Sequence, residues 1–153
     1  MPKLRVLFLC TGNSARSIMG EALLRYYAPD YFEVYSAGLD PKGINPYTIR
    51  VMNEIGLDVS GGRSTNVMEY LGKVHMGYVI TVCSNAEERC PIFPFSTQRL
   101  YWPFEDPAAF VGTDDEKAAK FREVRDLIDQ RIRAWLQERQ VPLAASPIQA
   151  TAQ

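Results

Sequence analysis

The chain has 153 residues, 46% of them hydrophobic, and a formal net charge of −1, which fits one compact domain with a core large enough to need no staples. Lys and Arg are interspersed with Asp and Glu, so no basic stripe supports nucleic-acid binding, and no apolar stretch approaches the ~18 residues of a membrane span. The first residues carry no signal-peptide pattern and the cysteines number three, which points to a reducing, cytoplasmic address and against a disulfide framework.

Residues 5–9 read as a buried strand, and residues 17–27 place Ile18, Met19, Ala22, Leu23 and Tyr26 at helical spacing. Residues 33–37 read as a second strand. Asn45-Pro46 supplies a cap and a first-turn proline for a helix over 46–55, with Gly56 as its stop. Residues 67–71 are expected as a short helix and residues 77–82 as a third strand that delivers Cys83 at its end. Residues 98–102 give a fourth strand closed by Pro103. Thr113-Asp114-Asp115-Glu116 opens a long helix with Phe121, Val124, Ile128, Ile132 and Trp135 on one face. The Ala-, Pro- and Ser-rich residues 141–153 are expected as a flexible tail to a domain over 1–140.

This alternation predicts an α/β fold, a single three-layer domain with a central four-stranded parallel sheet flanked by helices. In such sheets ligands sit at the carboxyl ends of the strands. Right-handed crossovers bring Cys10 and Cys83 to the same edge.

The densest chemistry lies between the first strand and the first helix, in Cys10-Thr11-Gly12-Asn13-Ser14-Ala15-Arg16-Ser17. A Gly-containing turn that opens a helix directs backbone N–H groups at one spot, where the helix dipole also favours an anion. A tetrahedral oxyanion suits that spot. Cys10 adds a nucleophile and Arg16 a planar cationic fork, and both the helix terminus and Arg16 favour the thiolate.

Cys83 and Cys90 are seven residues apart, a spacing of neither a zinc ribbon nor a Cys-x-x-Cys motif. If the segment between them is helical, the sulfurs stand roughly 10 Å apart along the axis, whereas a disulfide needs Cα atoms within ~7 Å. They can bond only if the helix unwinds, and a short polar helix stopped by Pro91 melts easily. Three such thiols suit a relay that carries a disulfide from the pocket to the surface. Asp106, in Asp106-Pro107, is the candidate acid for a leaving oxygen, with Glu105 beside it. His75, the single histidine, sits in no ligand pattern, so no metal site is expected.

Together the loop 10–17, the pair Cys83 and Cys90, and residues 102–107 resemble the thioredoxin-coupled arsenate reductases, which share the fold of low-molecular-weight protein tyrosine phosphatases. The resemblance covers about residues 4 to 138. It implies that the amides of Thr11 to Ser17 and the Arg16 side chain bind arsenate, with phosphate or sulfate as competitors. Cys10 attacks, Asp106 protonates the departing oxygen, and Ser17 steadies the thiolate. The resemblance further implies a Cys10–Cys83 disulfide as arsenite leaves, then a Cys83–Cys90 disulfide presented to thioredoxin, with no tightly bound cofactor.

Where phosphatases of this type carry Cys before the loop Arg and Pro after the Arg-Ser pair, this chain has Ala15 and Ile18. Where they place Tyr after Asp-Pro it has Ala108. Some of the reductases bind potassium beside the loop, and Asn13, Glu21 and Ser36 match part of that site, while residues 61–66 do not complete it. The competing expectations are a phosphatase that needs only Cys10, Arg16 and Asp106, and an oxyanion sensor without turnover. Resolution by glutathione in place of thioredoxin would make Cys90 dispensable, and a single redox segment is expected of a monomer that meets its partner transiently.

Overall fold

The computed structural model describes residues 2–93 and 97–148. Four strands, β1 (Leu4–Cys10), β2 (Phe32–Gly38), β3 (Tyr78–Thr81) and β4 (Gln98–Tyr101), form one parallel sheet in the order β2-β1-β3-β4. The helices are α1 (Arg16–Tyr27), α2 (Pro46–Asn53), α3 (Ser84–Arg89) and α4 (Asp114–Glu138). This is the three-layer α/β arrangement that the alternation predicts.

β1 is central and its residues Val6, Leu7, Phe8 and Leu9 are wholly buried, as expected of a strand covered on both faces. Phe8 faces α1, where a Cβ on Gly20 would stand 2.6 Å from its ring, so only glycine lets α1 sit this close. Trp135 of α4 packs on the same side, stacked on Phe32 at 5.3 Å and edge-on to Tyr78 and Trp102. Thr113 and Glu116 start α4 with a reciprocal capping box. On the opposite face Tyr35 of β2 meets Tyr70, and Thr81 of β3 meets Glu87 of α3.

Some elements depart from expectation. Residues 67–71 form only a single 3-10 turn, Val67–Glu69, capped by Asn66. Residues 141–148 are held rather than loose. Ala144 N–H donates to Tyr27 O at 2.8 Å, Ile148 N–H to Tyr27 Oη at 2.9 Å, and Tyr26 Oη to Ser146 O at 3.0 Å. The last five residues of the expected tail, 149–153, lie outside the described residues. No helix among the described residues is long and apolar enough to cross a membrane.

Candidate active site

The loop after β1 folds by turning its carbonyls outward. The oxygens of Cys10, Thr11 and Gly12 accept from the backbone N–H groups of Leu39, Asp40 and Lys42. That of Asn13 accepts from Ser64 Oγ, and that of Ser14 from Asn45 N–H and Thr48 Oγ1. With the carbonyls of Cys10 to Ser14 engaged outside the loop, its amides are left for the space at its centre, the geometry of an anion nest. Asn13 supports the turn with φ +46°, a left-handed conformation that Asn tolerates better than most residues. Gly38 lets β2 approach, because a Cβ there would meet Thr11 O at 2.7 Å.

Cys10 ends β1 and is buried, with its Sγ 2.8 Å from Ser17 Oγ. The proton positions follow from the network. Asn13 Oδ1 accepts from Thr65 N–H at 2.8 Å, so its Nδ2 is the donor to Ser17 Oγ, also at 2.8 Å. Ser17 Oγ thus accepts from Asn13 and keeps its O–H proton available to the Cys10 sulfur.

Cys83 sits in an equivalent arrangement. Asn85 Nδ2 donates to Thr11 Oγ1 at 2.9 Å, and Thr11 Oγ1 lies 3.4 Å from Cys83 Sγ. The same sulfur accepts from Ala86 N–H at 3.4 Å, as the cap of α3. Thr11 is thus both a residue of the oxyanion loop and the contact between the two thiol sites. Cys90 lies at the other end of α3 and is half-buried, and all three cysteines are free thiols. Burial, more than any charge, pushes the Cys90 thiol above its ordinary range.

Arg16 opens α1, donates to Phe104 O at 3.0 Å and lies 3.9 Å from the Asp106 carboxylate. Asp106 caps the 3-10 turn Pro107–Ala109 through Ala108 N–H and remains half-exposed. The cleft, about 570 Å³, is lined by Cys10, Arg16, Cys83 and Asp106 together with Lys42 and Asn85. Every proposed site residue except Cys90 therefore belongs to or borders one cavity or the loop beneath it, and Glu105 turns away to Lys120.

Sequence reasoning missed Lys42, Asn85, Ser64 and Thr65. The stem of Lys42 lies over Gly12, where a Cβ would meet its Cδ at 3.3 Å, so it brings a cation to the mouth of the cleft. Asn85, two residues beyond Cys83, was within reach of a local reading. Ser64 and Thr65 were not, because their role depends on a chain crossing.

The Asn13, Glu21 and Ser36 set does not fit potassium in this arrangement. Both carboxylate oxygens of Glu21 are engaged, one by Ser36 Oγ at 2.7 Å and the other by the Arg25 guanidinium at 2.8 Å, and both amide atoms of Asn13 are taken. Arg25 also reaches Val34 O, so a fixed cation already occupies the oxygen cluster. Among the described residues no group of three or more His, Cys, Asp or Glu side chains could hold a metal ion.

Comparison with known proteins agrees with this geometry. The sequence pattern of the family described as low molecular weight phosphotyrosine protein phosphatase matches residues 5–143. An arsenate reductase of Halalkalibacterium halodurans is 44% identical over 136 residues, 88% of this chain and 96% of that protein. An arsenate reductase of Bacillus subtilis is 38% identical, over 85% of this chain and 93% of that one. A solved structure of a thioredoxin-dependent arsenate reductase from Corynebacterium glutamicum superimposes with a TM-score of 0.68 at 32% identity, covering 91% of this chain but only 63% of that longer one.

Proposed function

The chain belongs to the low molecular weight phosphotyrosine protein phosphatase family, and on that basis we propose that it is an arsenate reductase that uses Cys10, Cys83 and Cys90 in sequence. The observation that carries this reading is the convergence of two thiols on one oxyanion loop, with Thr11 joining the loop to Cys83 at 3.4 Å. The similarity to arsenate reductases over most of their length supports it.

In the first step the Cys10 thiolate attacks the arsenic of arsenate held by the loop amides and Arg16. A sulfur–arsenic bond forms, and Asp106 protonates the oxygen that departs as water. The fixed amides and the Arg16 fork stabilise the charge that accumulates on the remaining oxygens. In the second, the Cys83 thiolate attacks Cys10 Sγ. The disulfide forms, the sulfur–arsenic bond breaks, and its electron pair stays on arsenic, so two thiols are oxidised as arsenate becomes arsenite. In the third, Cys90 attacks Cys83 and Cys10 leaves as a thiolate.

The Cys83–Cys90 disulfide is then a substrate for a dithiol reductant, and thioredoxin is the partner this reading assigns. The described thioredoxin dependence of the Corynebacterium structure supports that assignment. A phosphomonoesterase needs only Cys10, Arg16 and Asp106, which leaves the Asn85–Thr11–Cys83 arrangement without a purpose.

Disulfide mapping after one turnover tests the order of events. Reduced protein mixed with arsenate alone is expected to release arsenite and to accumulate Cys83–Cys90, whereas Cys90→Ser stops at Cys10–Cys83. Arsenite release from Cys83→Ser at the wild-type rate overturns the order.

A further inference from the structure

α3 is six residues long, too short to be stable on its own, and its last turn has a defect. In an unbroken helix the carbonyl of Glu87 would accept from the N–H of residue 91, which here is proline and has none. Arg99 of β4 fills the gap. Its Nη2 donates to Glu87 O at 3.1 Å and to the Glu87 carboxylate at 2.9 Å, and Thr81 Oγ1 donates to the same carboxylate oxygen at 2.8 Å. A cation at a helix carboxyl terminus also suits the helix dipole. These contacts, more than the helix's own sequence, hold α3 wound.

Arg99 and Glu87 are also the charged groups that act on the Cys90 sulfur. The guanidinium draws the thiol toward ionisation, while Glu87 adds to the opposing effect of burial. The remaining cation of α3, Arg89, is engaged by Asp40.

We propose that Glu87 and Arg99 form a clasp that keeps α3 wound while Cys10 and Cys83 react, and that its opening leaves Arg99 beside Cys90 as the positioning residue of the last thiol exchange. This rests on the reductase reading above. In that exchange the Cys90 proton goes to solvent, a Cys90–Cys83 bond forms, the Cys83–Cys10 bond breaks and Cys10 leaves as thiolate, with no net oxidation. Wound, α3 keeps the two sulfurs roughly 10 Å apart along its axis. Unwound, it gives up the Glu87 carboxylate and carbonyl as Arg99 partners, while Arg99 stays fixed on the sheet in register with Val79.

The test uses Glu87→Gln and Arg99→Gln, each mixed in the reduced state with arsenate and no thioredoxin, quenched in acid, alkylated and mapped for both disulfides between about pH 6 and 9, the range in which thiols ionise. Both substitutions break the same ion pair, so a clasp with a purely structural role moves both variants in one direction. The proposal expects opposite directions. Glu87→Gln speeds appearance of Cys83–Cys90 about threefold, the size of a half-exposed ion pair, and moves its pH profile down. Arg99→Gln moves the profile up, and Arg99→Lys restores it. The rate of Cys83–Cys90 appearance is read from the Cys10–Cys83 species once formed, so that a change in the earlier step does not enter it. Profiles that move together, or that do not move, overturn the proposal. If wild type itself forms no Cys10–Cys83 disulfide with arsenate, the reductase reading fails first and the clasp's part in the exchange falls with it.

Discussion

Asn85 donates its side-chain amide to Thr11 Oγ1 at 2.9 Å, and the same hydroxyl lies 3.4 Å from the sulfur of Cys83. The same arrangement recurs at Cys10, where Ser17 Oγ accepts from Asn13 and lies 2.8 Å from the sulfur. Each reacting sulfur thus faces a hydroxyl that accepts from an asparagine.

Asn85→Ala is therefore expected to slow the second chemical step and spare the first. Thr11 loses the partner that holds its hydroxyl beside Cys83, which amounts to roughly 1 kcal/mol, or about fivefold in the rate of arsenite release. Single-turnover quench experiments read that rate directly. Alkylation of Cys10 in the absence of arsenate should be unaffected.

Ser17→Ala removes a hydrogen bond to the sulfur that the proposed mechanism uses as a thiolate, worth about 1.5–3 kcal/mol. The expected loss in kcat/KM for arsenate is about ten- to a hundredfold. Asn13→Ala acts through Ser17 and also releases Thr65 N–H, so it should be at least as damaging. A Ser17→Ala enzyme with wild-type kcat/KM would remove Ser17 from the mechanism.

Cys90 should be slow to react in the resting protein. Burial, the largest influence, and Glu87 push its thiol up, and Arg99 only partly offsets them. Alkylation by iodoacetamide, followed residue by residue as pH rises, should therefore reach half-reaction at Cys90 only above the ordinary thiol range of about 8.5. Half-reaction at or below that range would show that the wound α3 does not protect it.

The fold carries a charge network with its own pH signature. Glu54 bridges Arg122 at 2.6 Å and the fully buried Arg125 at 3.0 Å, and the Arg122 hydrogen bond, followed by the attraction of both guanidinium groups, holds its carboxyl below the usual range. A depressed carboxyl stabilises the fold above its unfolded pKa and loses that contribution as pH falls through the folded value. Urea denaturation should show stability falling below about pH 4.3. Glu54→Gln should cost about 2 kcal/mol at neutral pH and flatten that fall, because Arg125 keeps Asp126 as a partner.

Much of this was legible in the chain. The loop 10–17 announces its geometry through local order, strand before it and helix after it, and the seven-residue spacing of Cys83 and Cys90 implies that a helix between them would have to unwind for the two to bond. What the sequence hides is contact between distant segments. Asn85 and Thr11 are 74 positions apart, and the Asn13–Thr65 bond spans 52. The hold on residues 141–148 was equally hidden. It is made largely by backbone groups of Ala144, Ser146 and Ile148 on Tyr26 and Tyr27, and composition carries no information about such bonds. The role of Arg99 depends on recognising that Pro91 leaves a carbonyl without a donor, a deficit visible only once α3 has an end.

Arsenate-dependent NADPH oxidation in the presence of thioredoxin and thioredoxin reductase, comparing wild type with Cys90→Ser, tests the thiol relay most directly. The relay predicts repeated turnover by wild type and arrest of the variant after a single equivalent of arsenite. Equal turnover by both would remove Cys90 from the reaction, and hydrolysis of a phenyl phosphate without any arsenate turnover would make the protein a phosphatase.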